Sequence, residues 1–256
     1  MPNNENSGIL IYAQLTREEY IHTVFFELVD KAKELAQKLG GTEVKAVLIS
    51  RPHLIDSFKE SFQNMGLSKV YYFESEELKE YSTEYHSKLI VDLVQNIKPE
   101  ILLIGATNQG RDLAPRVASA LGTGLTADCT GLDINEKGQL AATRPTFGGQ
   151  LMATILCKNY PQMATVRPNV FKVNSVSDKA NTEFIPCPAN IIGMKKHVQL
   201  LSFQRTVENV INDLDSAEII VAGGKGLKNS KGFELLKDFA DSLGGTIAAT
   251  RGAVEM

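Results

Sequence analysis

Short apolar runs alternate with amphipathic stretches along the first hundred residues. The runs predict strands that are buried on both faces, and stretches with an apolar residue at every third or fourth position predict helices. The predicted strands are residues 9–15, 44–49, 70–73 and 101–104, and the predicted helices are residues 25–39, 54–65 and 82–97. This alternation predicts an α/β domain in which helices wrap a parallel sheet through right-handed crossovers.

The fourth apolar run leads into a strand–turn–helix–strand unit, with its helix predicted at residues 111–121. The turn lies at the carboxyl end of a parallel strand, where such sheets place their ligands. Residues 107–109 are therefore candidates to contact a polar group of a ligand or partner. The alternative, which the residues alone favour, is that Thr107, Asn108 and Asp112 only cap the helix.

Four arginines stand close to these turns. Arg111 and Arg116 belong to the predicted helix, and each either pairs with an acidic group or faces solvent. Arg144 and Arg167 each precede a proline, which predicts extended backbone at both positions.

After residue 124 the helical spacing disappears, and short runs are separated by Gly, Pro and Asn. Hairpins or added antiparallel strands are expected here. The predicted strands are residues 125–134, 140–144, 151–156 and 162–167, followed by loops over residues 169–189 and a last strand over residues 195–207. Phe147 precedes two glycines, and it either packs beneath them or faces a partner.

A second α/β unit starts after a boundary near residues 204–209. It consists of a strand at 218–222, a glycine-rich turn at 223–230, a helix at 232–243 and a strand at 246–249. We therefore divide the chain into domains at residues 1–205 and 206–256. About 50 residues cannot easily bury a stable core, so the second domain is expected to be incomplete.

The glycine-rich turn, VAGGKGLKNS, stands where α/β proteins hold phosphates. It matches neither the dinucleotide fingerprint nor a P-loop. Lys225 can meet a pyrophosphate as a point charge, or it is simply a solvated lysine, which the spacing favours. Thr250 and Arg251 end the next strand, where they either touch an electron-rich ring and stabilise its anion or form an exposed strand end.

Composition narrows the classes of protein. The net charge of −3 gives no support for nucleic-acid binding, and no apolar run approaches the length of a membrane span. The N-terminus lacks the pattern of a secretory signal. Three widely spaced cysteines fit reduced thiols in the cytoplasm, and the four histidines form no pair with metal-ligand spacing, so no metal site is expected.

Four segments of the sequence resemble one family in order and spacing, nearly from end to end. They are GATNQGRDLAPRVASALGTGLTADCTGLDI, TRPTFGGQLMATI, VAGGKGLKN and LGGTIAATRGAV. The family is that of the electron transfer flavoprotein alpha subunits. The resemblance implies a first domain with an adenine nucleotide alpha-hydrolase-like fold, which pairs with a beta subunit, and a second α/β domain that carries FAD.

The resemblance also implies roles for single residues. Lys225 stands where the family has an FAD-contacting arginine, and Thr250 stands at a position near the flavin. Arg251 stands where an arginine lies over the isoalloxazine ring. Because the family's flavin domain continues further, the chain resembles a C-terminally truncated member, with most of the FAD pocket beyond its end.

The function implied is that of an electron carrier in a heterodimer rather than an enzyme. It would relay electrons through FAD from dehydrogenases such as acyl-CoA dehydrogenases, as in fatty acid beta-oxidation, to a downstream acceptor. We expect the beta subunit to contact residues 125–134 and 144–151.

Two other functions stay open from the residues. One is a universal-stress-like adenine nucleotide-binding module, although the polar turn after the single glycine at position 105 disfavours it. The other is a structural subunit that holds no cofactor.

Overall fold

The computed structural model describes residues 7–173, 180–203, 214 and 217–255. The chain forms two compact units, Met1–Gln199 and Leu200–Met256. The boundary predicted between residues 205 and 206 falls outside the described residues and stays a prediction.

Seven parallel strands form the main sheet of the first unit. In chain order they are β1 (Ile9–Ala13), β2 (Val44–Ser50), β3 (Lys69–Glu74), β4 (Ile101–Gly105), β5 (Leu125–Cys129), β9 (Gln162–Val166) and β10 (Glu183–Cys187). Their order across the sheet is β10-β3-β2-β1-β4-β9-β5, and every neighbouring pair is parallel. Strands β1 to β3 are added in one direction across the sheet and β4 lies on the other side of β1, so the strand order reverses between β1 and β4. Such switch points are where open α/β sheets usually bind ligands.

Helices cover both faces of this sheet, as predicted. They are α1 (Val24–Lys38), α2 (Lys59–Asn64), α3 (Thr83–Ile97) and α4 (Asn108–Leu121). Alternate residues of β1 face opposite layers: Ile9 and Ile11 pack in the core with α1 and α2, while Leu10 and Tyr12 pack in the core with α3 and α4. The continuous apolar runs in the sequence reflect this burial on both faces.

Four predictions about the first unit need correction. The predicted helix at 54–65 is a 3-10 turn followed by the six-residue helix α2, and the predicted strand at 125–134 is two strands in different sheets. The run at 162–167 is not part of a hairpin, because it forms β9 inside the parallel sheet. The predicted loop at 169–189 contains β10, whose neighbour β3 supplies the backbone partners that its sequence does not reveal.

A three-stranded antiparallel sheet accounts for the change of pattern after residue 125. It consists of β6 (Gly131–Ile134), β7 (Leu140–Thr146) and β8 (Leu151–Leu156), in that order. We call this sheet the arm. One face of the arm buries Leu132, Leu140 and Ala142 in the core beside α1.

A buried carboxylate anchors the chain where it leaves β9 to reach β10. Glu27, in the first turn of α1, accepts hydrogen bonds from the backbone N–H groups of Asn169, Val170 and Phe171 at 2.9–3.0 Å. These bonds satisfy three backbone donors and a buried charge at once.

The second unit contains a strand–helix–strand motif. Strands β11 (Ile220–Gly223) and β12 (Thr246–Ala249) are parallel, and α5 (Ser230–Ser242) connects them, followed by the single turn α6 (Arg251–Val254). Another prediction was wrong, since residues 195–203 form no strand; residues 204–207 of that prediction lie outside the described part.

Candidate functional site

The turn after β4 is closed by its own side chains. Thr107 is the N-cap of α4, and its hydroxyl accepts a hydrogen bond from Gly110 N at 3.0 Å and donates one to Gln14 Oε1 at 2.6 Å. Gln109 Nε2 donates to the buried hydroxyl of Tyr12 at 2.8 Å, and burial raises the pKa of that phenol. The capping interpretation is therefore confirmed for Thr107.

Neither of the other two capping candidates is the N-cap, because Asn108 is the first residue of α4 and Asp112 lies inside the helix. Asp112 contacts a different residue. Its carboxylate accepts a hydrogen bond from Tyr81 Oη at 2.6 Å. A Cβ at Gly110 would clash with the carbonyl oxygen of Gly105, so a glycine lets the helix begin this close to the strand. At this switch point of the main sheet, polar side chains that would meet a ligand are bound to one another instead.

Two of the four arginines meet at one carboxylate. Arg111 Nη2 lies 3.0 Å from Asp128 Oδ1, and Arg167 Nη2 lies 2.6 Å from Asp128 Oδ2. The hydrogen bond from Arg167, followed by the charges of both guanidinium groups, lowers the pKa of Asp128. Arg111 therefore pairs with an acidic group of its own chain, whereas Arg116 is exposed on α4.

Strand β8 and the turn before it expose apolar side chains, and they do so on both faces of the strand. Phe147 is 80% exposed at the turn between β7 and β8, so it does not pack beneath Gly148 and Gly149. Four residues of β8 are also exposed: Leu151, Met152, Ile155 and Leu156. Among the described residues β8 has no second neighbouring strand, so its outer edge is unpaired. Exposed apolar edge strands usually belong to interfaces or aggregate.

The predicted flavin-contacting residues come together in the second unit. Gly223 and Ala249 are partners in the pairing of β11 with β12, so both following turns lie at the same edge. Thr250 N donates to the carbonyl oxygen of Gly223 at 2.9 Å, which joins the two turns. A Cβ on Gly224 would lie 3.4 Å from Thr250 Oγ1, so this glycine keeps the backbone beside the Thr250 side chain accessible.

The side chain of Lys225 crosses from the first turn to the second. A Cβ on Gly252 would lie 2.9 Å from Lys225 Cε, so Gly252 leaves space for the lysine stem. The side chain of Arg251 is 91% exposed, and among the described residues its ion-pair partner is the exposed helical neighbour Glu255, at 2.7 Å. A surface ion pair of this kind is weak, so the guanidinium can readily leave the carboxylate and bind another anion.

These residues fit an anionic dinucleotide such as FAD. The glycine-rich turn carries exposed lysines at 225 and 228 and no acidic residue, and the exposed Lys231 follows it at the start of α5. Its glycines allow close approach of a ligand to the backbone, and lysines provide charge for a pyrophosphate. At the end of the turn Asn229 caps α5, accepting a hydrogen bond from Gly232 N at 3.2 Å.

Two residues at these places were missed from the sequence. Asp128 could have been noticed as the acidic residue inside the otherwise neutral strand β5. Gly252 gave no signal, because nothing local to it indicates Lys225 as a neighbour.

The described residues contain neither a metal-binding cluster nor a membrane-spanning helix. No group of three or more His, Cys, Asp or Glu side chains there could hold a metal ion. No helix in the same part of the chain is both long and apolar enough to cross a membrane.

Comparison with known proteins gives matches along both units. Residues 9–190 match the family model of the electron transfer flavoprotein domain, and residues 213–256 match that of the electron transfer flavoprotein FAD-binding domain. The electron transfer flavoprotein subunit alpha of Thermoanaerobacterium thermosaccharolyticum is 43% identical over 98% of this chain and 75% of its own length. The protein of that name from Clostridium acetobutylicum is 43% identical over 100% of this chain and 76% of its own length.

A relative with a different name is similar over the same region. The lactate dehydrogenase (NAD(+),ferredoxin) subunit LctC of Acetobacterium woodii is 37% identical over 97% of this chain and 58% of its own length.

Proposed function

Because the chain belongs to the electron transfer flavoprotein alpha-subunit family, we propose that it carries electrons on FAD between a dehydrogenase and a downstream acceptor. The observation that carries this proposal is the succession of the two family domains along the chain, with a glycine-rich, basic turn in the second. FAD, when bound, supplies the redox chemistry by accepting and releasing one or two electrons.

We assign the flavin contacts to Lys225, Thr250 and Arg251. Lys225 would place its ammonium against the pyrophosphate, and Thr250 would offer its hydroxyl beside the ring system. The exposed guanidinium of Arg251 would leave Glu255 and stabilise negative charge on the reduced flavin. The proximity of the two turns supports this assignment, because one ligand can reach all three side chains.

The proposed partner is an electron transfer flavoprotein beta subunit, and the proposed contact surface is strand β8 of the arm together with the turn before it. Its support is the unpaired edge of β8 together with the exposed Phe147, and the relatives' names, which describe subunits. A partner strand added to β8 would satisfy the free backbone groups and cover the apolar residues.

We further propose that the electron donor is an acyl-CoA dehydrogenase-type enzyme. We also propose a cytoplasmic location, where the three free cysteines of the chain would stay reduced. LctC, whose name places it in a lactate dehydrogenase, supports a second candidate donor. The experiment is to combine the chain with the beta subunit of the same organism and FAD, and to follow flavin bleaching. Bleaching by an acyl-CoA and its dehydrogenase supports the first donor, and bleaching only by lactate and its dehydrogenase supports the second.

The pairing surface is tested by Phe147→Asp, which places a charge in the turn before β8. We expect the dissociation constant for the beta subunit to rise at least about tenfold, since burying an unpaired charge is costly. Tyr20→Asp, at an exposed aromatic residue outside the arm, is the control and should leave it unchanged. Unchanged pairing in Phe147→Asp would move the interface away from the arm. A chain that pairs but never retains FAD would instead be a structural subunit.

A further inference from the structure

The arm is attached to the main sheet through a distorted strand. Between Thr126 and Cys129 the register of β5 against β9 shifts, because three steps along β5 match two steps along β9. Such a bulge redirects a strand. Asp128 lies in it with a φ of 64°, a left-handed conformation that is uncommon for residues other than glycine. Directly after this point the chain leaves the main sheet and enters β6.

The bulge is held from three directions. The Asp128 carboxylate is bound by Arg111 from α4 and by Arg167 from the end of β9, as described above. Its backbone N–H donates to Thr165 Oγ1 at 2.9 Å. A strained backbone conformation persists only where its surroundings fix it, and here two charged bonds and one backbone bond do so.

A second attachment lies at the opposite end of the arm. The side chain of Gln162, only 1% exposed, accepts a hydrogen bond from Leu140 N at 2.6 Å and donates one to the carbonyl oxygen of Cys157 at 3.0 Å. Leu140 begins β7 and Cys157 follows the end of β8, while Gln162 itself begins β9 in the main sheet. One buried amide therefore joins two strands of the arm to the sheet beneath.

These two attachments do not involve the exposed apolar residues of β8 and of the turn before it. We propose that Asp128 and Gln162 are positioning residues, which hold the arm in its binding orientation before the partner arrives. The inference rests on the proposed function, because it takes the arm as the surface that the beta subunit contacts. A preorganised surface binds without first ordering itself, whereas a mobile one binds only in the fraction of molecules that are correctly oriented.

The variants Asp128→Asn and Gln162→Met test the proposal in the full chain with the beta subunit. Asparagine tolerates the left-handed conformation but removes the charge, and methionine keeps the size of glutamine but removes both bonds. Glu136→Gln is the matched control, because it also removes one negative charge, at an exposed residue of the turn between β6 and β7 of the arm. Two measurements are needed: amide hydrogen exchange of the free chain and the affinity for the beta subunit.

We expect faster exchange in β6–β8 with unchanged exchange in β1–β4, and an affinity about tenfold lower through slower association. Exchange that accelerates in the arm while the affinity stays within twofold of wild type would overturn the proposal, and so would unchanged exchange in both variants. Phe147→Asp distinguishes the proposed interface from the proposed positioning role, since it should lower the affinity without changing amide exchange in the arm of the free chain. If Phe147→Asp leaves the affinity unchanged, the proposed interface is wrong. If Phe147→Asp lowers the affinity but Asp128→Asn and Gln162→Met do not, the interface stands and the positioning role is wrong.

Discussion

The two units of the chain bury their residues to very different extents. Every residue of β1, β2, β4 and β9 is buried in the first unit. Among the described residues of Leu200–Met256, only Gly223 and Ala240 are buried, and α5 exposes Leu235 and Phe239. A two-stranded sheet with one helix has little apolar surface to remove from water.

The difference assigns stability and cofactor binding to separate parts of the molecule. In the first unit the polar groups at the switch point of the sheet are bound to one another, as Thr107 is to Gln14. In the second unit the polar groups at the strand ends, Lys225 and Arg251 among them, are exposed. Ligand sites are commonly drawn from the less stable parts of a structure, which gain most from binding.

The strongest test of this contrast is a pair of identical substitutions. Leu103→Ala, at a residue with no exposed surface, should lower the free energy of unfolding by about 2–5 kcal/mol, because it leaves a cavity between two packed layers. Leu235→Ala, at a residue that is 70% exposed, should change it by less than about 0.5 kcal/mol. Urea denaturation of the full chain, followed by circular dichroism, measures both. Equal losses would mean that the second unit contributes to the same core.

Acid should destabilise the first unit through His86, which is buried there. Burial lowers the pKa of His86 from 6.5 to about 4. Between these two values the unfolded chain binds a proton that the folded chain does not, so stability falls as pH falls. The loss approaches about 3 kcal/mol by pH 4.

His86→Gln should remove this part of the pH dependence when denaturation is repeated between pH 7 and 4. His53→Asn, at an exposed histidine, is the control and should keep the wild-type slope. A His86→Gln protein that loses stability on acidification as steeply as wild type would refute the assignment.

Loss of the buried carboxylate at Glu27 should lower the free energy of unfolding by less than Leu103→Ala does. Glu27→Gln replaces a charged acceptor of three backbone N–H groups by a neutral amide, and we expect about 1–3 kcal/mol of destabilisation. Glu234→Gln on α5, where the side chain is exposed, should have almost no effect. The urea midpoints of Glu27→Gln and Glu234→Gln are compared with that of the wild type. Similar midpoints in the two variants would show that the hydrogen bonds that Glu27 accepts from residues 169–171 do not contribute to stability.

The last prediction concerns Arg251 in the second unit and a property other than stability. Arg251→Ala in the FAD-loaded heterodimer should lower the reduction potential of the flavin, because the reduced anion loses a positive partner. A charged hydrogen bond contributes about 1.5–3 kcal/mol, and about 30 mV corresponds to 1.4 kcal/mol in a two-electron couple, so the shift is some tens of millivolts.

The reduction potential of Arg251→Lys should lie between those of the wild type and Arg251→Ala, because lysine keeps the charge but lacks the planar guanidinium. A redox titration measures the three proteins. An unchanged potential in Arg251→Ala with FAD fully bound would leave Arg251 as an ordinary surface residue.

The sequence by itself determined the architecture of the first unit. Continuous apolar runs mark strands that are covered on both faces, so β1, β2 and β4 were predicted with nearly the right bounds. The same holds for helices α1 and α3, whose apolar stripes are regular. The glycine-rich turn and Thr250 were found for a similar reason, since glycines and a strand end mark a turn locally.

The tertiary structure decided what depends on distant partners. The segment that forms β10 is a strand because β3 lies beside it, and β9 joins the parallel sheet because β4 and β5 flank it. The charge cluster of Arg111, Asp128 and Arg167 joins residues up to 56 positions apart in numbering, from 111 to 167. Side-chain periodicity reports which face of an element is buried, but not which other element covers it, so these contacts follow only from the folded chain.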